Sequence, residues 1–310
     1  FHKKLPSANI FAPPAKGAVS AFVTIMQGCN NFCAYCVVPF LRGPEMSRTP
    51  EDIIEEIKRL TDYGIREVTL LGQNVNSYGK TLNTEMNFTS LIKKVGQIDG
   101  IQRIRFTTSH PKDLSEELIN CFAAEKKLCE HIHLPVQSGS NKILKLMNRG
   151  YTVEDYLGKV ARLRQVCPQI SITSDIIVGF PQESEKDYQE TIDMMGKIRF
   201  DSVFSFKYSE RIGTAARKLE GKIEEKEKQR RLKALQSLQD EYTLHKNKNL
   251  EGCSQEVLVE GESKNSRHDM TGRTRAWKIV NFRGKPDLKG ELVELKITKA
   301  YLHSLRGELV

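Results

Sequence analysis

Three cysteines stand close together near the start of the chain, as Cys29-x3-Cys33-x2-Cys36. They come soon after the β-branched run at residues 22–25, so the three thiols lie on a loop that leaves a predicted strand. Three thiolates on one loop can bind one face of a metal centre, whereas a structural zinc site or a closed iron–sulfur site has four protein ligands. The count of three therefore favours a centre with one open metal position, where a small ligand can bind and react.

Two other uses of these cysteines remain open at this point. A disulfide could join two of them and leave the third free, or a distant histidine could complete a zinc site. The spacing, with Gly28 before the first cysteine and Tyr35 before the third, favours an iron–sulfur centre instead. Seven cysteines with a clustered trio indicate a reducing compartment. The scattered ones are interpreted as ordinary core or surface thiols: Cys121, Cys129, Cys167 and Cys253.

The composition, with 39% hydrophobic and 28% charged residues, is typical of a soluble globular protein. A length of 310 residues is enough for two domains. No apolar run approaches the ~20 residues of a membrane span, and the first residues lack the apolar stretch of a signal peptide. We therefore expect a cytoplasmic protein that does not bind membranes. Because the chain begins with Phe1 rather than Met, we also expect it to start part-way through a longer protein.

Most of the positive charge lies in the last third of the chain. Residues 211–310 contribute +7 of the net charge of +9. Lysine and arginine neutralise phosphates, so this excess is consistent with a polyanionic partner such as a nucleic acid. A solvated basic helix explains the same charge, and charge alone leaves both interpretations open.

Strand-like and helix-like segments alternate between residues 19 and 208. The predicted strands are 19–27, 66–71, 102–107, 130–135, 170–180 and 201–208, and the predicted helices are 49–63, 89–98, 115–124, 141–147, 153–166 and 185–198. The first helix carries Ile53, Ile57 and Leu60 on one stripe, the spacing of a helix that faces a core. Six β–α alternations predict a parallel sheet with right-handed crossovers, curved into a partial TIM-like barrel.

Uncharged hydrogen-bonding residues recur after these strands. The second strand is followed by Gly72-Gln73-Asn74, the third by Ser109, the fourth by Gln137 and, further on, Arg149, and the fifth carries Asp175. Each alone is typical of a turn or a helix cap. Because the C-terminal ends of parallel strands meet at one rim of a barrel, their repetition predicts a binding site there.

The rest of the chain divides into a helix and a β-rich unit. We predict a charged helix at 223–248, packed on the flank of the barrel, and short strands at 256–259, 274–281, 292–300 and 305–310 that form a compact barrel. The predicted domains are a linker at 1–18 from an upstream domain, a barrel at 19–222, a connecting helix at 223–249 and an all-β domain at 250–310.

Taken together, these motifs resemble those of the radical S-adenosylmethionine (radical SAM) methylthiotransferases. The resemblance runs from about residue 21 to the C-terminus and is carried by CAYCVVPF at 33–40, Arg42-Gly43, Ser47-Arg48, LGQNVN at 71–76, Ser109-His110-Pro111, LPVQSGS at 134–140 and DIIVGFP at 175–181. The terminal β unit resembles the TRAM domain, an RNA-binding module. The resemblance implies an α/β fold in which a partial (β/α)6 radical SAM barrel precedes a small all-β TRAM-like barrel.

This family resemblance also implies the cofactors. Cys29, Cys33 and Cys36 would hold a [4Fe–4S] cluster, with SAM bound to the open iron. The implied SAM contacts are Tyr35, Gly72, Gln73, Asn74, Ser109, Gln137, Arg149 and Asp175. Arg149 is the candidate for the SAM carboxylate, because a guanidinium can bind a carboxylate through two hydrogen bonds.

Within the family, the Gly72-Gln73-Asn74 segment is similar to the tRNA-modifying branch that methylthiolates C2 of N6-isopentenyl-adenosine next to the anticodon. The implied partners are a tRNA anticodon stem-loop, a reductant such as flavodoxin or ferredoxin, and a sulfur donor. The protein itself is expected to be a monomer. Two other branches remain as alternatives, one acting on threonylcarbamoyl-adenosine in tRNA and one on a ribosomal-protein aspartate. A non-catalytic RNA-binding protein with a structural metal is the alternative from another class.

One feature of the family is missing from this sequence. Full-length members carry an N-terminal domain with three more cysteines and a second, auxiliary [4Fe–4S] cluster, and we expect that domain to lie upstream of this chain.

In the predicted strand at 274–281, Trp277 is flanked by Arg273, Arg275 and Lys278, a group that could contact RNA by charge and stacking. A half-buried aromatic of the small barrel is the alternative interpretation.

Overall fold

The computed structural model describes residues 11–264, 266 and 268–310, so the first ten positions of the predicted linker lie outside the described residues. In chain order the strands are β1 (Ser20–Thr24), β2 (Met26–Gln27), β3 (Met46–Ser47), β4 (Glu67–Leu71), β5 (Arg103–Phe106), β6 (His131–His133), β7 (Ser171–Val178), β8 (Ser202–Lys207), β9 (Ser254–Glu262), β10 (Asp269–Thr274), β11 (Ile279–Arg283), β12 (Leu292–Ala300) and β13 (Leu305–Leu309). The helices are α1 (Val38–Arg42), α2 (Pro50–Asp62), α3 (Phe88–Gly96), α4 (Glu116–Ala124), α5 (Asn141–Leu146), α6 (Val153–Val166), α7 (Glu185–Ile198) and α8 (Glu225–Lys248).

Six parallel strands form an open half-barrel. Strands β1, β4 and β5 make one sheet, and β6, β7 and β8 make a second. The two sheets meet where Ile104 pairs with Leu128 and accepts a hydrogen bond from Cys129 N at 3.0 Å. The half-barrel ends at the edge strands β1 and β8. Because these two strands do not pair with each other, a lateral opening lies between them. The predicted partial (β/α)6 barrel is confirmed.

Helix α2 shows how local sequence fixes these elements. Thr49 accepts a hydrogen bond from Asp52 N, and Pro50 stands at the first helical position, where its missing N–H is not needed. Ile53 and Ile57 are completely buried against the sheet, as the stripe predicts. Capping and periodicity are both local properties, so the helix follows from the sequence alone.

The second part of the chain is a closed five-stranded β-barrel, in the order β10-β11-β13-β12-β9. Its core includes Val257, Val259 and Phe282, all completely buried. The predicted all-β barrel is therefore confirmed. Helix α8 precedes it and packs on the half-barrel through the buried Leu235. Among the described residues no helix is both long and apolar enough to cross a bilayer.

Two predicted strands are wrong in detail. The segment predicted as one strand at 19–27 is two, because Met26 and Gln27 leave the parallel sheet and pair antiparallel with β3. The middle of the strand predicted at 274–281, residues 275–278, is instead a hairpin turn between β10 and β11. That turn is closed by hydrogen bonds from Thr274 N to Lys278 O, at 2.9 Å, and from Lys278 N to Thr274 Oγ1, at 3.1 Å.

The small barrel is fixed to the N-terminal end of the half-barrel by two buried arginines of β5. Arg103 donates hydrogen bonds to the backbone oxygens of Arg273, at 2.7 Å, and Glu256, at 3.0 Å. Arg105 donates to those of Arg275, at 2.7 Å, and of Thr274, at 2.8 Å. Backbone carbonyls buried at this interface are thereby satisfied, as buried polar groups require.

These contacts contradict the interpretation of the Trp277 group as an RNA-binding cluster. Arg275 Nε donates to Glu130 Oε2 of the half-barrel at 2.6 Å, and Lys278 Nζ donates to Asn247 Oδ1 of α8 at 2.8 Å. The Trp277 ring leaves the small barrel and stacks on His131, with 5.8 Å between ring centroids. The group therefore joins the two domains. Trp277 is half-buried, as the alternative interpretation expected, but its ring packs on the half-barrel.

Candidate cofactor site at the C-terminal rim of the half-barrel

The three clustered cysteines lie on a loop that begins directly after β2. Gly28 fixes its first turn: the residue has φ of +80°, and a Cβ there would stand 2.0 Å from the Pro44 carbonyl oxygen. Gly28 N donates to Gln73 Oε1 at 2.6 Å, and Cys29 N donates to Gly43 O at 3.3 Å. Only glycine fits this combination of backbone angle and close approach.

The chemistry of the three sulfurs fits a shared iron–sulfur centre. Cys29, Cys33 and Cys36 are free thiols of intermediate exposure. Burial raises the pKa of the Cys29 thiol, and the neighbouring Cys33 and Cys36 raise it further, so the three groups lie within electrostatic reach of one another. In the described part of the chain, no three Cys, His, Asp or Glu side chains are arranged around one metal position. The metal role of the trio therefore stays a prediction that rests on the sulfur donors, the ligands iron–sulfur clusters use.

A second loop, directly after α5, holds the cysteine loop in place. Ala34 N donates to Met147 O at 2.9 Å, and Asn148 Nδ2 donates to Phe32 O at 3.0 Å. Asn148 has φ of +56°, a conformation that asparagine tolerates better than most residues. Sequence analysis did not single out Asn148, although an asparagine before Arg149-Gly150 at a helix end is typical of such a turn.

Arg149, which follows Asn148, is buried beside the cysteines. Its Nη1 atom donates to Cys33 Sγ at 3.3 Å and to Tyr35 Oη at 3.4 Å, and its Nη2 atom donates to Pro135 O at 2.7 Å. Burial opposes the charge of the guanidinium, but Tyr35 and Tyr151 outweigh it and raise the pKa of Arg149. A permanent cation therefore contacts one cysteine sulfur, that of Cys33. Its predicted contact with the SAM carboxylate stays a prediction.

The residues after β4 lie at the same rim. A Cβ at Gly72 would stand 2.4 Å from Met26 Cγ, so the loop after β4 approaches β2 closely. Asn74 is buried, its Nδ2 donates to Asp113 Oδ2 at 2.8 Å, and its Oδ1 has no partner among the described residues. The structure thus places Gln73 against the cysteine loop and Asn74 against the segment after β5.

Strained backbone marks the ends of β5 and β6. Thr108 has φ of +66° and Gln137 has φ of +74°, and positive values are rare for side chains of these types. Ser109 is buried directly after Thr108, and its Oγ has no hydrogen-bond partner in the described structure. Such strain and such unpaired polar atoms cluster where proteins bind ligands.

His110 also belongs to the site, although in the sequence it stood only as the middle residue of the Ser109-His110-Pro111 motif. Burial, with Arg149 nearby, lowers its pKa to about 2, so the imidazole is neutral. Its Nδ1 accepts a hydrogen bond from Lys112 N at 3.2 Å, which places the proton on Nε2. Nε2 is buried without a partner among the described residues and is therefore a donor available to a ligand.

Asp175 lies on the inner face of β7. Its Oδ1 atom is 3.3 Å from His133 Nε2, and His133 Nδ1 is 3.0 Å from Thr173 Oγ1. The Asp175 carbonyl accepts a hydrogen bond from Gln137 N at 2.9 Å. Direct contacts thus link Cys33, Tyr35 and Arg149 into one group. Cys36 also contacts this group, because its backbone N donates to Cys33 O at 2.9 Å. The remaining predicted site residues share the rim or the inner wall, without a hydrogen bond to that group among the described residues.

Comparison with known protein families identifies both domains. Residues 23–195 match the model of the radical SAM superfamily, and residues 248–310 match that of the TRAM domain. The first match contains the cysteine loop and every other predicted site residue. Radical SAM proteins use a [4Fe–4S] cluster and SAM, so the family accounts for the predicted cofactors.

Curated relatives are similar over nearly the whole chain. A tRNA-2-methylthio-N(6)-dimethylallyladenosine synthase of Syntrophus aciditrophicus is 62% identical over 309 residues, which are 100% of this chain and 67% of that protein. Proteins of the same name from Syntrophobacter fumaroxidans and Thermodesulfovibrio yellowstonii are 55% and 56% identical, over 95% and 98% of this chain and 64% and 69% of theirs. The chain thus spans about two thirds of the length of these relatives.

Solved structures share the fold at low identity. Coproporphyrinogen III oxidase of Escherichia coli, a radical SAM enzyme, matches with a TM-score of 0.56 and 12% identity over 94% of this chain and 72% of that one. The radical SAM methyltransferase TsrM of Kitasatospora setae matches with a TM-score of 0.53 and 18% identity over 64% of this chain and 36% of that one. With the family models and the curated relatives, these findings show that the chain belongs to the radical SAM superfamily and, within it, to the family of the tRNA-2-methylthio-N(6)-dimethylallyladenosine synthases.

Proposed function

We propose that this chain is the radical-generating and RNA-binding part of a tRNA methylthiotransferase that acts on C2 of N6-dimethylallyl-adenosine beside the anticodon. The observation that carries the proposal is the 62% identity to a protein of that name across the entire chain. The fold and the site geometry supply independent support, because the cysteine loop, the buried arginine and the RNA-binding type of small barrel occur together in one molecule.

Cys29, Cys33 and Cys36 would hold the [4Fe–4S] cluster. A cluster held there, with SAM bound, would supply the single electron needed for reductive cleavage of SAM. Hydrogen bonds from Asn148 and to Met147 hold the backbone of the cysteine loop. Arg149 offsets part of the negative charge of three thiolates through its contact with Cys33 Sγ.

The other proposed SAM contacts act by orientation and by hydrogen bonding. Ser109 Oγ and His110 Nε2 offer buried donors that have no partner among the described residues, which suits a polar cofactor such as SAM. Tyr35, Gly72, Gln73, Asn74 and Gln137 surround the same rim, and Asp175 faces the interior of the half-barrel below it.

The remaining parts of the activity require partners. We propose a tRNA anticodon stem-loop as the substrate, bound with help from the TRAM-type barrel, and a flavodoxin- or ferredoxin-like reductant that delivers the electron. Sulfur insertion would need a sulfur donor and an auxiliary [4Fe–4S] cluster, which we propose is held by an N-terminal domain. We propose that the enzyme acts as a monomer in the cytoplasm.

Mass spectrometry of tRNA nucleosides tests the proposal. Cells that lack this gene should lose the methylthio form of N6-dimethylallyl-adenosine and accumulate the form without the methylthio group. Wild-type enzyme should restore the modification, whereas a Cys36→Ala variant expressed at the same level should not. Persistence of the methylthio nucleoside in the deletion strain would reject the proposal. Threonylcarbamoyl-adenosine and the ribosomal-protein aspartate would then be examined as substrates.

A further inference from the structure

The interior of the half-barrel contains a cavity of about 310 Å³ that none of the proposed cofactor contacts uses. It lies below the cofactor rim, at the level of Phe22 in β1, Thr173 in β7 and Phe204 in β8. The side chain of Trp277, from the small barrel, lines the same cavity. A volume near the lower end of the ~300–1,000 Å³ range of ligand pockets suits a small group rather than a whole nucleotide.

Trp277 is held rigidly at the N-terminal end of the cavity. Its ring stacks on His131, and the guanidinium carbons of Arg105 and Arg273 each lie 4.6 Å from the ring centroid. Its φ is +67°, an unfavourable angle for a bulky residue, which the surrounding contacts maintain. A strained position occupied by the only tryptophan of the sequence indicates that the indole has a role beyond closing a turn.

The cavity opens sideways between the two edge strands. Phe22 and Phe204 flank that opening and are 67% and 57% exposed, although large aromatic side chains are normally buried. Exposed aromatic rings beside an apolar cavity are typical of sites that stack nucleobases. A base entering through this opening would carry its substituent towards Trp277.

The charges of the cavity wall discriminate between possible substituents. All three guanidinium nitrogens of Arg105 are engaged, by Glu67 and by two backbone carbonyls of the small barrel. His131 is buried beside Arg105, and burial lowers its pKa well below the ordinary value, so it is neutral. The third basic side chain of the lining, His133, is engaged by Asp175 Oδ1 at 3.3 Å and by Thr173 Oγ1 at 3.0 Å. The described lining thus offers no free cation for a carboxylate-bearing substituent, whereas its aromatic rings suit a hydrocarbon.

We propose that this cavity receives the hydrocarbon substituent on N6 of the substrate adenine and that Trp277 is the specificity-determining residue at its floor. The inference deepens the proposed function and rests on it for the identity of the base. The TRAM-type barrel would then help to select the modified nucleoside as well as to bind RNA. The selection favours a dimethylallyl group over a threonylcarbamoyl group.

The experiment follows Trp277 directly in the reconstituted full-length enzyme labelled with 5-fluorotryptophan. The resonance of Trp277 is assigned by its loss in a Trp277→Phe variant. N6-dimethylallyl-adenosine should shift this resonance and bind at least about tenfold more tightly than adenosine or N6-threonylcarbamoyl-adenosine, since burying several methyl groups is worth at least that factor. Equilibrium dialysis gives the affinities.

A cavity-filling variant keeps the test independent of the domain interface. Ser202 lines the cavity at the start of β8, and Ser202→Phe should reduce the preference for the dimethylallyl nucleoside to about twofold or less. Tyr301→Ala, which removes an aromatic ring elsewhere on the small barrel, should retain the full preference. Equal preference in the Ser202→Phe variant and the wild type would overturn the proposal.

Parallel assays of tRNA methylthiolation separate this inference from the proposed function. Methylthio product without any shift of the Trp277 resonance overturns the cavity assignment and leaves the function intact. A shift by the dimethylallyl nucleoside in an enzyme that forms no methylthio product supports the cavity assignment and overturns the function.

Discussion

The buried ion pair between Glu67 and Arg105 allows a quantitative test of the domain interface. Glu67 Oε2 accepts a hydrogen bond from Arg105 Nε at 2.9 Å, and the two side chains are only 3% and 2% exposed. Arg105 also donates to two carbonyls of the small barrel, so the pair connects β4, β5 and the small barrel. Glu67→Gln keeps the shape of the side chain and removes its charge.

The expected cost follows from the burial of the pair. Removing one partner leaves an uncompensated buried guanidinium, which costs about 3–5 kcal/mol of unfolding free energy. Glu116→Gln is a matched control: it removes the partner of Arg162, whose Nε lies 3.1 Å from a carboxylate that is 67% exposed. Exposed pairs contribute about 0–1 kcal/mol, so the control should lower stability by less than about 1 kcal/mol.

Urea unfolding at neutral pH measures both costs. The unfolding free energy falls by about 3 kcal/mol for each molar of urea. Glu67→Gln should therefore lower the urea concentration at which half of the small barrel is unfolded by about 1 M or more. Replacing both partners, as Glu67→Gln with Arg105→Met, should recover part of the loss because no buried charge remains. If Glu67→Gln and Glu116→Gln shift the midpoint equally, the pair does not hold the interface and the reasoning fails.

Three further predictions concern the cofactor site. Gly28→Ala should abolish most iron incorporation, measured as iron content and visible absorbance, because the added Cβ would stand 2.0 Å from the Pro44 carbonyl oxygen. The control is Gly64→Ala, at a position with φ of +83° and open space around it. It should lower the unfolding free energy by only about 1 kcal/mol and keep the iron. Arg149→Met removes one hydrogen bond to the Cys33 sulfur, worth ~1–1.5 kcal/mol, and should therefore lower the reduction potential of the cluster by about 40–60 mV. An unchanged potential in a redox titration would show that Arg149 does not tune the cluster. His110 has a folded pKa of about 2 against an ordinary 6.5, so its neutral form contributes stability fully above pH 6.5 and progressively less as pH falls. The difference in unfolding free energy between wild type and His110→Gln should therefore shrink by about 1.2 kcal/mol between pH 6 and pH 5, and a pH-independent difference would contradict the assignment.

The elements of the half-barrel could be predicted because their signals are local. The stripe of α2, its Thr49 cap and the alternation of strands with helices all lie within short stretches of sequence. The cysteine spacing belongs to the same class of information, and the structure brings Cys33 beside two other predicted site residues, Tyr35 and Arg149.

The turn that carries Trp277 could not be predicted in the same way. The residues from Thr274 to Asn281 have strand-like composition. Hydrogen bonds between Thr274 and Lys278 close the turn, and contacts with Arg105 and His131, far away in the sequence, hold it against the half-barrel. The role of Asn148 was missed for a similar reason, since its partner Phe32 lies 116 positions earlier. Single contacts across such distances leave no periodic pattern in a sequence.

The way in which the two domains meet has a consequence for how this chain tolerates mutation. Arg103 and Arg105 recognise the small barrel mainly through backbone oxygens, which every residue type provides. Positions such as Thr274 can therefore change their side chains while still accepting the same hydrogen bonds. The two arginines have no such latitude, because a lysine lacks the planar fork that spans two carbonyls. Mutational tolerance at this interface should thus be one-sided, with the small barrel free to vary and β5 held fixed.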